Sequence, residues 1–217
     1  QHIYHRSVQE RDADLLSAYD YLWRWDTDWF WCSRALGLEH PLVRRLWPRR
    51  WRHSEVYQRV VGLDRRHGFV DRLDRLRGRP ARERVIQDVE ISLESLGDFL
   101  AWFDDRVQMR PVWLCPLRLR GEREWPTYPL RAGRTYVNAG FWGTVPVGPE
   151  AADAPLNRAI EERVTSLGGH KSLYSDSYYP RDVFDLLYGG SHLAAVKAHT
   201  DPDNRLSSLY DKAVRRR

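Results

Sequence analysis

The chain has 217 residues, 42% hydrophobic and 30% charged, which makes it globular and long enough to bury a core rather than disordered. No apolar run approaches the ~20 residues needed to cross a bilayer, and the first residues do not read as a signal segment. Formal net charge is +5 from 35 basic and 30 acidic residues, and the signs interleave, as at Asp71, Arg72, Asp74 and Arg75, so a solvated charged surface is favoured over a nucleic-acid-binding face.

Residues 1–10 alternate loosely around Ile3, Tyr4 and Val8, a strand in need of partners. Trp23, Trp25, Trp29, Phe30 and Trp31 then crowd into nine residues. That density suggests a pocket wall or docking face, although packing is the commoner fate of any single indole. Residues 41–80 are helical in pattern, interrupted by Pro48 and punctuated by Gly62, Gly68 and Gly78.

After Pro80 the period changes to two. Residues 84–93 place Val85, Gln87, Val89, Ile91 and Leu93 on one side and Ile86, Asp88, Glu90 and Ser92 on the other, a strand. Residues 94–107 carry Leu96, Phe99, Leu100 and Phe103 at helical spacing. Strands are predicted at 111–120 and 134–145, then a helix at 155–167 that opens on Pro155 and stops at Gly168-Gly169. A fourth strand is predicted at 170–179. Strand, helix, strand, strand, helix, strand is the split βαβ order: an α+β, ferredoxin-like antiparallel sheet with two helices on one face. Two short helices close the chain, one after Pro180 with Val183, Phe184, Leu186 and Leu187, the other through Leu206, Leu209, Tyr210 and Val214.

No glycine-rich phosphate loop, metal-ligand spacing or nucleophile elbow is present. Cys32 and Cys115 sit among apolar residues, where free thiols act as small buried hydrophobes, which fits a reducing compartment. The last strand is where chemistry concentrates. Alternation puts His170, Ser172, Tyr174, Asp176 and Tyr178 on one face, and Lys171, Leu173, Ser175, Ser177 and Tyr179 on the other. A face with an imidazole, two phenols and a carboxylate can move protons, or can cover the sheet with satisfied hydrogen bonds; both readings stand. Tyr136, Asn138, Gly140 and Trp142 share one face of the third strand, where Gly140 leaves room for a flat group or marks tight packing.

The runs ERVIQDVEI, RPVWLCPLRL, TYVNAGFWGTVPVG and GGHKSLYSDSYYPRDVFDLLYGG resemble the C-terminal half of the sterol delta-24-reductase-like FAD-linked oxidoreductases, within the vanillyl-alcohol-oxidase-type flavoproteins. The resemblance is expected to run collinearly through essentially the whole chain. It implies that the chain is a C-terminal substrate-binding cap, whose N-terminal FAD domain holds most of the cofactor. On that basis residues 1–12 end the FAD domain, 13–80 form a helical Trp/Arg-rich arm, 81–179 form the cap core, and 180–217 return to the FAD domain. The implied chemistry is hydride transfer through the flavin to a small hydrophobic, sterol-like substrate. Lys171, Tyr174, Asp176 and His170 are the candidate proton carriers, Asn138 and Tyr178 the cofactor contacts, and Trp113, Trp142, Tyr136 and Trp29 the apolar wall. The expected setting is cytoplasmic, peripheral to a membrane, with no metal. Alcohol oxidation by the same cofactor and an Arg-rich nucleic-acid-binding module are the competing readings.

Overall fold

The structure, a computed structural model, describes residues 40–51, 54–148 and 151–216, together with positions 12, 13, 15, 17–19 and 37. The expected first strand, the cluster from Trp23 to Trp31, and Cys32 lie outside the described residues. The chain divides into two units after Arg79.

The first unit is helical where described: α1 (Pro41–Leu46), α2 (Ser54–His67) and α3 (Phe69–Leu76). Pro48 ends the first run and Gly68, at φ +62°, breaks the second. Val43, Trp47, Val56 and Tyr57 are partly buried in an apolar cluster of this unit.

The second unit holds a four-stranded antiparallel sheet of β1 (Arg82–Ser92), β2 (Trp113–Leu117), β3 (Tyr136–Pro146) and β4 (His170–Lys171). Their order across the sheet is β2-β3-β1-β4. The helices α4 (Leu96–Arg106) and α5 (Pro155–Ser166) form the crossovers. Both cover the face that carries Val85, Val89, Ile91, Ala139 and Phe141, and Phe99, Phe103, Ile160 and Val164 are fully buried there. Four such aromatic and branched side chains each contribute ~1.5–3 kcal/mol of transfer free energy, which fixes which face the helices take.

Polar groups pin α5 to the sheet. The Glu83 carboxylate of β1 accepts from the backbone N–H groups of Leu156 and Asn157 at 2.9 Å each, so a strand side chain caps the helix that Pro155 opens. Asn157 Nδ2 donates to Glu83 at 2.7 Å, and Gln87 Nε2 donates to Asn157 Oδ1 at 2.6 Å.

The fourth strand is much shorter than expected, with two residues in place of 170–179. The chain curls away because it wraps one buried cation. Lys171 Nζ donates to the Glu161 carboxylate at 2.9 Å and to the carbonyl of Asp176, while Tyr178 N donates to the same carboxylate at 3.0 Å. The alternation assigned to 172–179 therefore does not hold.

Three helices, not two, close the chain: α6 (Arg181–Leu187), α7 (Gly190–Thr200) and α8 (Leu209–Ala213). The unforeseen α7 spreads Leu193, Ala194, Val196 and Ala198 around its girth, so it has no apolar stripe to reveal it. Phe184, Tyr179, Tyr188 and Ala213 form their core. Cys115 is exposed on the edge strand β2 rather than buried. No helix among the described residues is long and apolar enough to cross a membrane.

Candidate active site

The sheet face opposite α4 and α5 carries the polar chemistry. Pairing of β1 with β3 sets Ile86 opposite Trp142, Asp88 opposite Gly140 and Glu90 opposite Asn138. Pairing with β4 sets His170 beside Glu90. Pairing of β2 brings Trp113 beside Gly140 and Cys115 beside Asn138.

Glu90 is the hub. Its Oε1 accepts from Asn138 Nδ2 at 2.9 Å, from Ser172 Oγ at 2.9 Å and from Tyr128 OH at 3.3 Å. Its Oε2 lies 3.3 Å from His170 Nε2. Tyr128 stands edge-on to the His170 ring, with centroids 4.8 Å apart, and covers it. Burial pushes the Glu90 carboxyl up, and the three donors only partly oppose this. Burial also pulls the His170 imidazole down to about 4. Tyr128 is pushed up to about 12 by burial and by the charge of Glu90.

Asp88 lies next along the strand. Its Oδ1 fills the space that a side chain at Gly140 would need: a Cβ there would come within 2.3 Å. The room left by Gly140 is thus used by a carboxylate of the chain itself. Burial raises the Asp88 carboxyl, and a hydrogen bond from Tyr174 opposes this. Tyr174 is in turn pushed up to about 12 by burial and by Asp88. Trp113 and Trp142 meet edge-to-face at 6.4 Å and are respectively 50% and 38% exposed, an apolar wall beside the carboxylates.

The structure thus gathers His170, Tyr174, Asn138, Tyr136, Trp113 and Trp142 on or beside one face. Tyr136 is buried there, its hydroxyl accepting from Arg131 N at 3.2 Å. Lys171 and Asp176 are placed elsewhere. Lys171 is fully buried against Glu161 toward the helices, and Asp176 faces Arg216 at 3.4 Å. Burial lowers the Lys171 ammonium and raises the Glu161 carboxyl, while their mutual attraction opposes both shifts. Tyr178 is stacked between Arg158 and Arg216, away from the open face, and Trp29 lies outside the described residues. Glu90, Asp88, Tyr128 and Ser172 were not singled out from the sequence. The signal was two carboxylates on the minor face of an otherwise apolar strand.

Among the described residues no group of His, Cys, Asp and Glu is arranged to hold a metal. A flavin finds only part of a site here. The N-terminus of α5 has its first free amides taken by Glu83, so it offers no phosphate cradle. The open face does fit one wall of a ring pocket. Asp88 Oδ1, Glu90 Oε2 and His170 Nε2 are buried there without hydrogen-bond partners, next to the two exposed indoles.

The chain is 26% identical to the Delta(24)-sterol reductase of Rattus norvegicus over 131 residues, 60% of this chain and 25% of that protein. It is 25% identical to the Homo sapiens Delta(24)-sterol reductase over the same length. It is 27% identical to a Delta(24)-sterol reductase homolog of Caenorhabditis elegans over 139 residues, 62% of this chain. The chain spans about a quarter of the length of these relatives, and the matches cover less of it than the whole-chain collinearity expected from the motifs. No protein-family model and no solved structure matches it. The likeness supports a distant, sterol-reductase-like relationship.

Proposed function

We propose that the chain is the C-terminal, substrate-facing part of an FAD-linked oxidoreductase acting on a small apolar, sterol-like molecule, and that the open face of its ferredoxin-like sheet is the wall of the pocket. The observation that carries this reading is the meeting, on one face, of unpartnered buried proton carriers with an exposed indole pair. When bound, the flavin supplies the hydride transfer. The chain's own residues do the rest. Trp113 and Trp142 offer apolar surface to the substrate and exclude water from it. Tyr174, over Asp88, and His170 carry protons. Asn138 holds the Glu90 carboxylate in place and orients the polar end of the site.

Residues outside this chain hold the phosphates of the cofactor, a reading supported by the occupied amides of α5. Tyr174→Phe in the full-length protein tests the assignment. Bound flavin should be unchanged while substrate-dependent flavin reduction or reoxidation falls ~100-fold, the scale of a lost acid or base. An unchanged rate removes Tyr174 from the chemistry. A full-length protein that binds no flavin removes the whole reading.

A further inference from the structure

The pair of Glu90 and His170 has a geometry that a purely structural pair does not need. Both side chains are almost fully buried, at 2% and 1% exposure, on adjacent strands. Their facing atoms, Oε2 and Nε2, lie 3.3 Å apart, and neither has another partner. The other carboxyl oxygen is surrounded by three donors, two of them the hydroxyls of Ser172 and Tyr128. A hydroxyl can donate or accept by rotating, so this oxygen is accommodated both ionised and protonated. Tyr128 packs on the His170 ring and is itself 38% exposed, so it links the pair to the surface.

We propose that Glu90 and His170 are a buried store for one exchangeable proton, which Tyr128 passes to and from a ligand on the open face. This rests on the reading of that face as the substrate wall. In the releasing direction the O–H bond of Glu90 breaks and its proton goes to the Tyr128 oxygen. The Tyr128 proton goes to a substrate atom that has developed negative charge, whose electron pair forms the new bond to hydrogen. Nothing is oxidised or reduced in this step. The carboxylate left behind is held by Asn138, Ser172 and Tyr128, and is recharged from solvent by the reverse path.

The titratable groups around the pair are Asp88 on the same strand, Tyr128 above, and Tyr174 and Tyr188 within electrostatic reach. Burial and the neighbouring Asp88 favour the protonated form of Glu90, and burial favours neutral imidazole at His170.

The test is nuclear magnetic resonance of the histidine rings in this chain, which needs no flavin. His170 should show two inflections: its own near pH 4, and a second above the ordinary carboxylate value of 4.5, when Glu90 ionises beside it. Glu90→Gln should abolish the second and keep the first. A single inflection near the ordinary histidine value in the wild-type chain overturns the proposal, as does a second inflection that survives Glu90→Gln. The wild-type titration decides the matter even where the variant does not fold. In the flavin-loaded full-length protein, Glu90→Gln and Tyr128→Phe should each flatten the pH dependence of turnover and lower its plateau ~100-fold. Turnover with unchanged pH dependence in both overturns the store while leaving the flavin reading standing. Absence of flavin overturns that reading and leaves the titration result untouched.

Discussion

His170 shows how burial turns a side chain into a pH sensor of stability. Between its ordinary value of 6.5 and its folded value of about 4, the unfolded chain binds the histidine proton more tightly, so stability is lost as pH falls through that window. Urea unfolding of the wild-type chain against His170→Gln should therefore show a stability difference that changes by roughly 3 kcal/mol between pH 4 and 6.5. A difference that stays flat would mean the imidazole is hydrated in the folded state. Two glycines allow a comparison of like with like. A Cβ at Gly169 meets the Glu90 backbone carbonyl at 2.5 Å, whereas one at Gly140 meets the Asp88 carboxylate at 2.3 Å. A carboxylate can swing aside and a sheet carbonyl cannot. Gly169→Ala should thus cost the larger share of the ~1–3 kcal/mol typical of overpacking, and calorimetry that ranks Gly140→Ala as the worse of the two contradicts this. Glu90 itself was legible only as one polar residue in a strand. Alternation assigns it a side, but the identity of its neighbours depends on register, which β3 and β4 supply from 48 and 80 residues away.

Among the elements, strong periodicity read correctly. The strands 84–93 and 134–145 and the helices 94–107 and 155–167 lie within a few residues of β1, β3, α4 and α5, and Phe99, Phe103, Ile160 and Val164 of those helices are all buried. The segment 170–179 misread because alternation of polar and aromatic residues does not distinguish a ladder from a loop wrapped around a charge. That wrapping makes a prediction. Lys171→Met leaves Glu161 buried without its cation and should destabilise the chain by about 3–5 kcal/mol. Adding Glu161→Leu should recover most of the loss, since a matched apolar pair often replaces a buried ion pair without penalty. Failure of the double variant to recover would show that the backbone carbonyl of Asp176 and the amide of Tyr178, which the pair also holds, matter more than its charge. At the N-terminus of α5, Glu83→Ala should cost ~1 kcal/mol or more, as the helix loses its borrowed cap.

For the molecule as a whole, composition excluded a disordered chain and the pattern of elements supplied the α+β sheet, while the open face and its chemistry emerged only from pairing. The isolated 217-residue chain should purify colourless, because its sequence has no glycine-rich phosphate loop and the first amides of α5 are taken by Glu83; stoichiometric yellow flavin surviving gel filtration would contradict that. One further property follows from β2. It is an edge strand of apolar residues, Trp113–Leu117, with Trp113 and Leu114 about half exposed and one side of its backbone ladder unpaired among the described residues. Such an edge is a template on which another chain can add a strand. Pro116, which has no N–H to offer, interrupts that template at its fourth residue. The proline is in this sense a solubility device: Pro116→Val should leave the fold intact yet make concentrated solutions scatter light and bind thioflavin sooner than the wild type.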